Sequence, residues 1–227
     1  MKRLPRRTFL VGAASCVGAA SLFSVTPALA DTKDADEVAG KVQGFYDNLT
    51  TYQATFKQTY YAKVLDKRQI STGKLAFQKP GLMSFAYDEP NGNRVTSNGK
   101  TVKVYEKENE QQYESSVDKS QYPAALAFLM GEGKLKSDFT LRLLDPTTMK
   151  FEGGFVLECT PKEASPAYEK VLLYVDGATS QVRRVLILDV QRNRNRFDFD
   201  SAVMNEEIPK GTFDFTPPKG TKIIKPN

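Results

Sequence analysis

The sequence predicts an α+β fold: one large antiparallel sheet curved around a core, with helices on one side. Three observations predict it. Residues 73–90, GKLAFQKPGLMSFAYDEP, alternate at period two, with a bulky face of Leu75, Phe77, Lys79, Met83, Phe85 and Tyr87 and a slight face of Ala76, Gln78, Ser84 and Ala86, joined by Leu82. Helical periodicity is confined to a first segment and one short later one. Strand patterns fill most of the remainder, without long repeats, low-complexity stretches or an evident linker.

The first thirty residues read as an export signal. Lys2, Arg3, Arg6 and Arg7 precede a mostly apolar run from Phe9 to Val25, and Ala28-Leu29-Ala30 supplies a small-x-small cleavage site. Cleavage after Ala30 is expected, leaving a mature domain over 31–227. Arg6-Arg7-Thr8-Phe9-Leu10 is similar to a twin-arginine signal, so the export route stays open. Lipidation at Ala13-Ala14-Ser15-Cys16 is the less favoured rival.

Asp34 to Leu49 reads as an amphipathic helix, with Val38, Val42, Phe45 and Leu49 at helical spacing and acidic residues in its first turn. The period switches to two at Tyr52, and Tyr52, Ala54, Phe56, Gln58 and Tyr60 share one face. Two strands joined at Lys79-Pro80-Gly81 follow. Asn91-Gly92 and Asn98-Gly99 mark turns, and Thr101 to Tyr105 is a strand. Gln121 to Met130 reads as a short helix opened by Pro123 and apolar almost all round, so it needs an oily surface on more than one side. Strands resume over Phe151–Thr160, Lys170–Val175, Gln181–Val190 and Asn195–Ser201, and Phe213 to Pro218 closes the chain.

Composition excludes several functions. The chain has 32 basic and 27 acidic residues, but removal of the signal leaves 28 against 27. The mature domain is nearly neutral, which does not argue for nucleic acid. There is no histidine, which removes a Ser-His-Asp triad, a Cys-His pair and histidine-ligated zinc. Cys159 is the single mature cysteine and reads as a small core residue. Gly99-Lys100-Thr101 fails as a phosphate loop because Arg94 stands where the first glycine is required. Asp198 and Asp200 alternate with Phe197 and Phe199, the pattern of a solvated strand face. Arg192, Arg194 and Arg196 share a face, open to phosphate or lipid headgroups or to water beside the acids, with water favoured. No metal or cofactor fingerprint is visible, so neither an enzyme nor a cofactor is expected.

The pieces together resemble the LolA family of lipoprotein carriers. The resemblance rests on Tyr52-x-Ala54-x-Phe56-x-Gln58, on Gly73-x-Leu75 leading into Lys79-Pro80, and on Phe85, Tyr87 and Pro90. It continues through Thr96-Ser97-Asn98-Gly99-Lys100 with Tyr105, and ends at Phe213-Asp214-Phe215-Thr216-Pro217-Pro218-Lys219-Gly220. It implies a single unclosed antiparallel β-barrel whose apolar concave face is covered by lid helices. Acyl chains of lipoproteins would be shielded there between the inner and outer membranes. By that resemblance Leu75, Phe77, Met83, Phe85 and Tyr87 line the cavity, with Phe56 and Tyr105 counted among them. Ala124, Leu126, Phe128, Leu129 and Met130 would form the lid helix. Lys79 stands where the family often has an arginine that closes the lid, and it offers a point charge in place of a planar fork of donors. The implied partners are an inner-membrane ABC transporter of the LolCDE type and an outer-membrane receptor of the LolB type, served by a periplasmic monomer. A LolA-like protein that binds or senses lipid without sorting lipoproteins is the alternative.

Overall fold

The computed structural model describes residues 32–117 and 133–225. The expected signal, its cleavage site after Ala30, Cys16 and the expected lid helix with Ala124, Leu126, Phe128, Leu129 and Met130 lie outside the described residues. The chain opens with helix α1 (Thr32–Asp47). Six strands follow: β1 (Thr51–Ala62), β2 (Lys67–Gln78), β3 (Leu82–Tyr87), β4 (Arg94–Asn98), β5 (Thr101–Glu106) and β6 (Gln111–Ser116). A four-residue helix α2 (Leu135–Asp138) then leads into β7 (Phe139–Leu144), β8 (Gly154–Pro161), β9 (Lys170–Asp176), β10 (Val182–Leu188), β11 (Arg194–Met204) and β12 (Lys222–Ile224). Among the described residues no helix is long and apolar enough to cross a membrane.

All twelve strands form one sheet, ordered β12-β6-β5-β4-β3-β2-β1-β11-β10-β9-β8-β7. Its ends, β12 and β7, do not pair, so the sheet is open. The antiparallel expectation holds for every neighbouring pair but one. Residues Lys222 to Ile224 run parallel to Gln111 to Tyr113, which makes the sheet mixed. The reason is topological: the chain leaves β11 beside β1, crosses the sheet, and reaches the far edge already pointing along β6.

Register assigns each side chain to a face. Phe56 stands opposite Gly73 and Phe199, Leu75 opposite Phe85, and Phe85 opposite Val95. Gln58 pairs Phe197, Val185 pairs Phe197, Leu173 pairs Val185, and Leu157 pairs Leu173. One apolar face therefore runs unbroken from β5 to β7 across the concave side. Helix α1 packs upon it through Ala35, Val38, Ala39, Val42 and Tyr46, all in the same buried cluster. The convex face is handled piecemeal. Residues 145–151 fold over Val156, Leu172 and Tyr174, with Phe151 edge-on to Tyr174 at 5.3 Å. At the other end the closing segment after β11 crosses the face. Its Phe215 lies 5.2 Å from Tyr105, and Ala76, Ser84, Thr96 and Gln112 are buried on the same side.

Candidate functional site

Six of the residues expected to line a cavity come together on the concave face. Phe56, Leu75, Phe77, Met83, Phe85 and Tyr87 are all at most 6 % exposed and belong to one cluster. The sequence builds it by strict alternation on β1, β2 and β3. Phe56 lies at the centre, edge-on to Phe85 at 5.4 Å, to Tyr87 at 5.0 Å and to Phe197 at 6.0 Å. Phe77 meets Phe85 at 5.9 Å. Such edge contacts add roughly 0.5–1.5 kcal/mol each beyond the area they bury. Gly73 makes the arrangement fit. A Cβ there would stand 2.3 Å from the Ala86 carbonyl and 2.7 Å from the Phe56 ring, so the phenyl ring occupies the place of the missing side chain.

Tyr105 is not with them. It pairs Arg94 and Gln112, which puts it on the convex face against Phe215. The concave residues of its strand are Val102 and Val104, both packed with the main cluster. This corrects the expected lining: the tyrosine is an anchor for the closing segment. Residues that the sequence reading did not count as lining fill the remainder of the floor. Phe197 and Phe199 stack at 6.5 Å and extend it onto β11. Their alternation with Asp198 and Asp200 was the signal for them. Tyr46 and Tyr52, with ring centroids 6.1 Å apart, close one end. Tyr46 accepts a hydrogen bond from the Val182 N–H at 3.1 Å, and Tyr52 accepts one from the Gln181 amide at 3.2 Å. Burial raises the pKa of both phenols, so both stay neutral.

Lys79 sits just past β2, half-buried. Its ammonium donates to the Tyr46 carbonyl at 2.7 Å and the Asp47 carbonyl at 2.9 Å, the last two of α1. The Tyr46 carbonyl also accepts the Leu49 N–H at 3.2 Å, and a cation at a helix C-terminus satisfies terminal carbonyls and favours the helix dipole. The backbone amide of Lys79 donates to the Thr50 carbonyl at 3.0 Å, which fixes the root of the side chain beside the helix exit. Asp47 is further bound by Gln43 at 2.9 Å and Lys134 at 3.4 Å. The cation thus holds the end of α1 against the concave rim.

The concave face turns polar at its opposite end. Gln58, Tyr60, Gln69, Ser71, Asn195 and Glu106 surround a cleft of about 350 Å³ whose inner wall is Tyr87, Val95 and Val104. The cleft touches the aromatic floor at Tyr87. Cys159 lies within the main cluster, 1 % exposed, and burial pushes its thiol pKa far up. Among the described residues no group of three or more acidic, cysteine or histidine side chains could hold a metal.

Fold and face define a class: an open half-barrel that presents an apolar surface in place of reactive groups. A family model described as outer membrane lipoprotein carrier protein LolA matches residues 47–216. The chain belongs to the LolA family, whose members are periplasmic transport proteins and not enzymes. It is 26 % identical over 205 residues to the outer-membrane lipoprotein carrier protein of Dechloromonas aromatica, covering 90 % of this chain and 94 % of the relative. It is 27 % identical over 211 residues to that of Bordetella avium, covering 93 % and 97 %. A crystal structure of an uncharacterized conserved protein from Thermus thermophilus shares the fold, with a TM-score of 0.51, 14 % identity, and coverage of 85 % of this chain and 99 % of that one.

Proposed function

We propose that this protein carries lipoproteins from the inner to the outer membrane by sheltering their acyl chains on the concave face. The observation that carries the reading is the contiguous aromatic floor around Phe56, covered by a helix whose end is held by one lysine. An acyl chain in water costs roughly 0.8 kcal/mol per methylene, so several long chains cannot cross an aqueous space unaided. The floor is buried in the closed arrangement. Cargo must therefore displace its cover, and the exchange replaces one apolar contact by another. Its net free energy is small, which allows release. Met83 suits such a surface because its side chain adapts its shape.

In this mechanism Lys79 acts as the latch. Opening α1 breaks two charge-assisted hydrogen bonds, each worth roughly 1.5–3 kcal/mol, and returns the ammonium to water. The segment carrying Ala124, Leu126, Phe128, Leu129 and Met130 shares the covering role. The chain is exported with cleavage after Ala30, loads from a LolCDE-type transporter, unloads to a LolB-type receptor, and works as a monomer.

Two measurements test this. Pulldown of the exported protein from periplasm, followed by mass spectrometry, is expected to recover triacylated proteins; free lipid alone would overturn lipoprotein carriage. Lys79→Leu is expected to fold and to take up an environment-sensitive apolar dye, yet to load or release cargo abnormally. Unchanged transfer from membrane to receptor would remove Lys79 from the mechanism.

A further inference from the structure

The β1–β2 hairpin runs past its neighbour on one side. The last β2 residue that β3 pairs is Gly73, opposite Tyr87, whereas β2 continues back to Lys67 with β1 alone. The tip carries Val64, 86 % exposed, and Leu65, 66 % exposed. No packing within the described chain accounts for two adjacent aliphatic side chains in water. The turn between β10 and β11 stands beside it, because the Asn193 side chain accepts a hydrogen bond from the Lys63 N–H at 2.9 Å. That turn adds Val190, 52 % exposed. The same end of the molecule therefore presents three aliphatic side chains on two joined turns.

Behind this tip the convex face forms a groove of about 870 Å³ bearing Lys57, Lys63, Arg68, Lys150 and Arg194. Among the described residues none of these five makes an ion pair. Arg184 and Arg196 also line it, but both are engaged by Asp198. The groove's own acid is Asp66, which accepts a hydrogen bond from the Tyr61 hydroxyl at 2.7 Å. The balance is a local excess of cations on a mature chain that is nearly neutral overall. The arginines of β11 noted in the sequence thus divide: Arg196 is paired, and Arg194 joins the unpaired group.

We propose that this hairpin docks the protein on an anionic phospholipid bilayer. Aliphatic side chains at a tip, with cations set back from it, match the depth profile of a membrane interface. Arg68 is the second residue of β2, set back from the turn that carries Leu65, so it stands on the headgroup side when the tip reaches the acyl boundary. A protein partner is less favoured by the chemistry, since protein hot spots are enriched in Trp, Tyr and Arg, with Leu and Val under-represented. The surface is distinct from the concave floor and does not depend on what that floor binds.

Co-sedimentation with vesicles tests the proposal. The purified protein is expected to bind vesicles of phosphatidylcholine mixed with phosphatidylglycerol well above phosphatidylcholine alone, and added salt is expected to weaken that binding. V64D/L65D and R68E/R194E should each lower the bound fraction roughly tenfold or more while melting like the parent, since all four positions are exposed. V64D/L65D should take up an apolar dye as the parent does, which separates this surface from the acyl floor. Equal binding to both vesicle types, no binding to the anionic ones, or unchanged binding by both double variants would overturn it.

Discussion

The two faces of this sheet bury apolar surface by opposite strategies. On the concave side a single continuous floor is covered by α1, a helix joined to β1 by residues 48–50 and held at that exit by Lys79. On the convex side two local patches are covered by chain tied to strands at both ends: residues 145–151, between β7 and β8, over Tyr174, and the closing segment, between β11 and β12, over Tyr105. A tethered cover closes at little entropic cost and serves stability. A cover tied to the sheet through one short link, and otherwise held by side-chain contacts and a cationic cap, is the more readily exchanged for another apolar body. The proposed carrier function draws on this difference, because an exchangeable cover is what sheltering an acyl chain requires.

That contrast is broken most strongly at Phe85. Phe85→Ala removes a ring that contacts Phe56, Phe77 and Phe197, and is expected to cost about 3–5 kcal/mol of unfolding free energy in denaturant titration. It should also change apolar dye uptake. Gly73→Ala comes next. The added methyl meets a backbone carbonyl and the Phe56 ring, so overpacking should cost about 1–3 kcal/mol and shift Phe56 within the floor. Retained stability together with unaltered dye uptake would mean that the ring under Gly73 plays no part in the binding surface.

Phe215→Ala sharpens the contrast from the other side. Its loss leaves Tyr105 without its ring partner and loosens the closing segment, for about 1 kcal/mol. Dye uptake and cargo handling should stay as in the parent. A cargo defect as large as that of Phe85→Ala would merge the two faces into one functional unit.

The concave floor was legible because its strands obey period two without exception. Phe56, Leu75, Phe77, Phe85 and Tyr87 each fall on the bulky parity of β1, β2 or β3. The convex side was less legible because its cover is non-local. Ala76, Ser84 and Thr96 look like a solvated face of small residues, yet they are buried, on the face where Phe215 of the closing segment meets Tyr105. Tyr105 was misassigned for the same reason. An aromatic near an oily sheet suggests the floor, whereas Val102 and Val104 alternate against it and were the better guide. Strands β6, QQYESS, and β7, FTLRLL, carry weak alternation of their own and take their place from neighbours β5 and β8. Parallel pairing of β12 leaves no local signal at all. Helix α1 was visible from Val38, Val42 and Leu49, but its role as the element capped by Lys79 depends on a contact across more than thirty residues.

The smallest expected effect concerns pH and tests the latch itself. The Gln43 amide, followed by Lys134 and the charge of Lys79, holds the Asp47 carboxyl below its ordinary value of 3.8. A depressed carboxylate stabilises the folded arrangement above that ordinary value, and the contribution is lost as pH falls through the folded one. Asp47 is largely exposed, so the contribution is small. There is no histidine to titrate between about pH 5 and 8. Uptake of an apolar dye should therefore stay flat across neutral pH and rise only in the acid range where Asp47 gains its proton. Asp47→Asn should remove part of that acid rise and leave the neutral plateau unchanged. A transition near neutrality would show that α1 is governed by groups other than the cluster around Lys79.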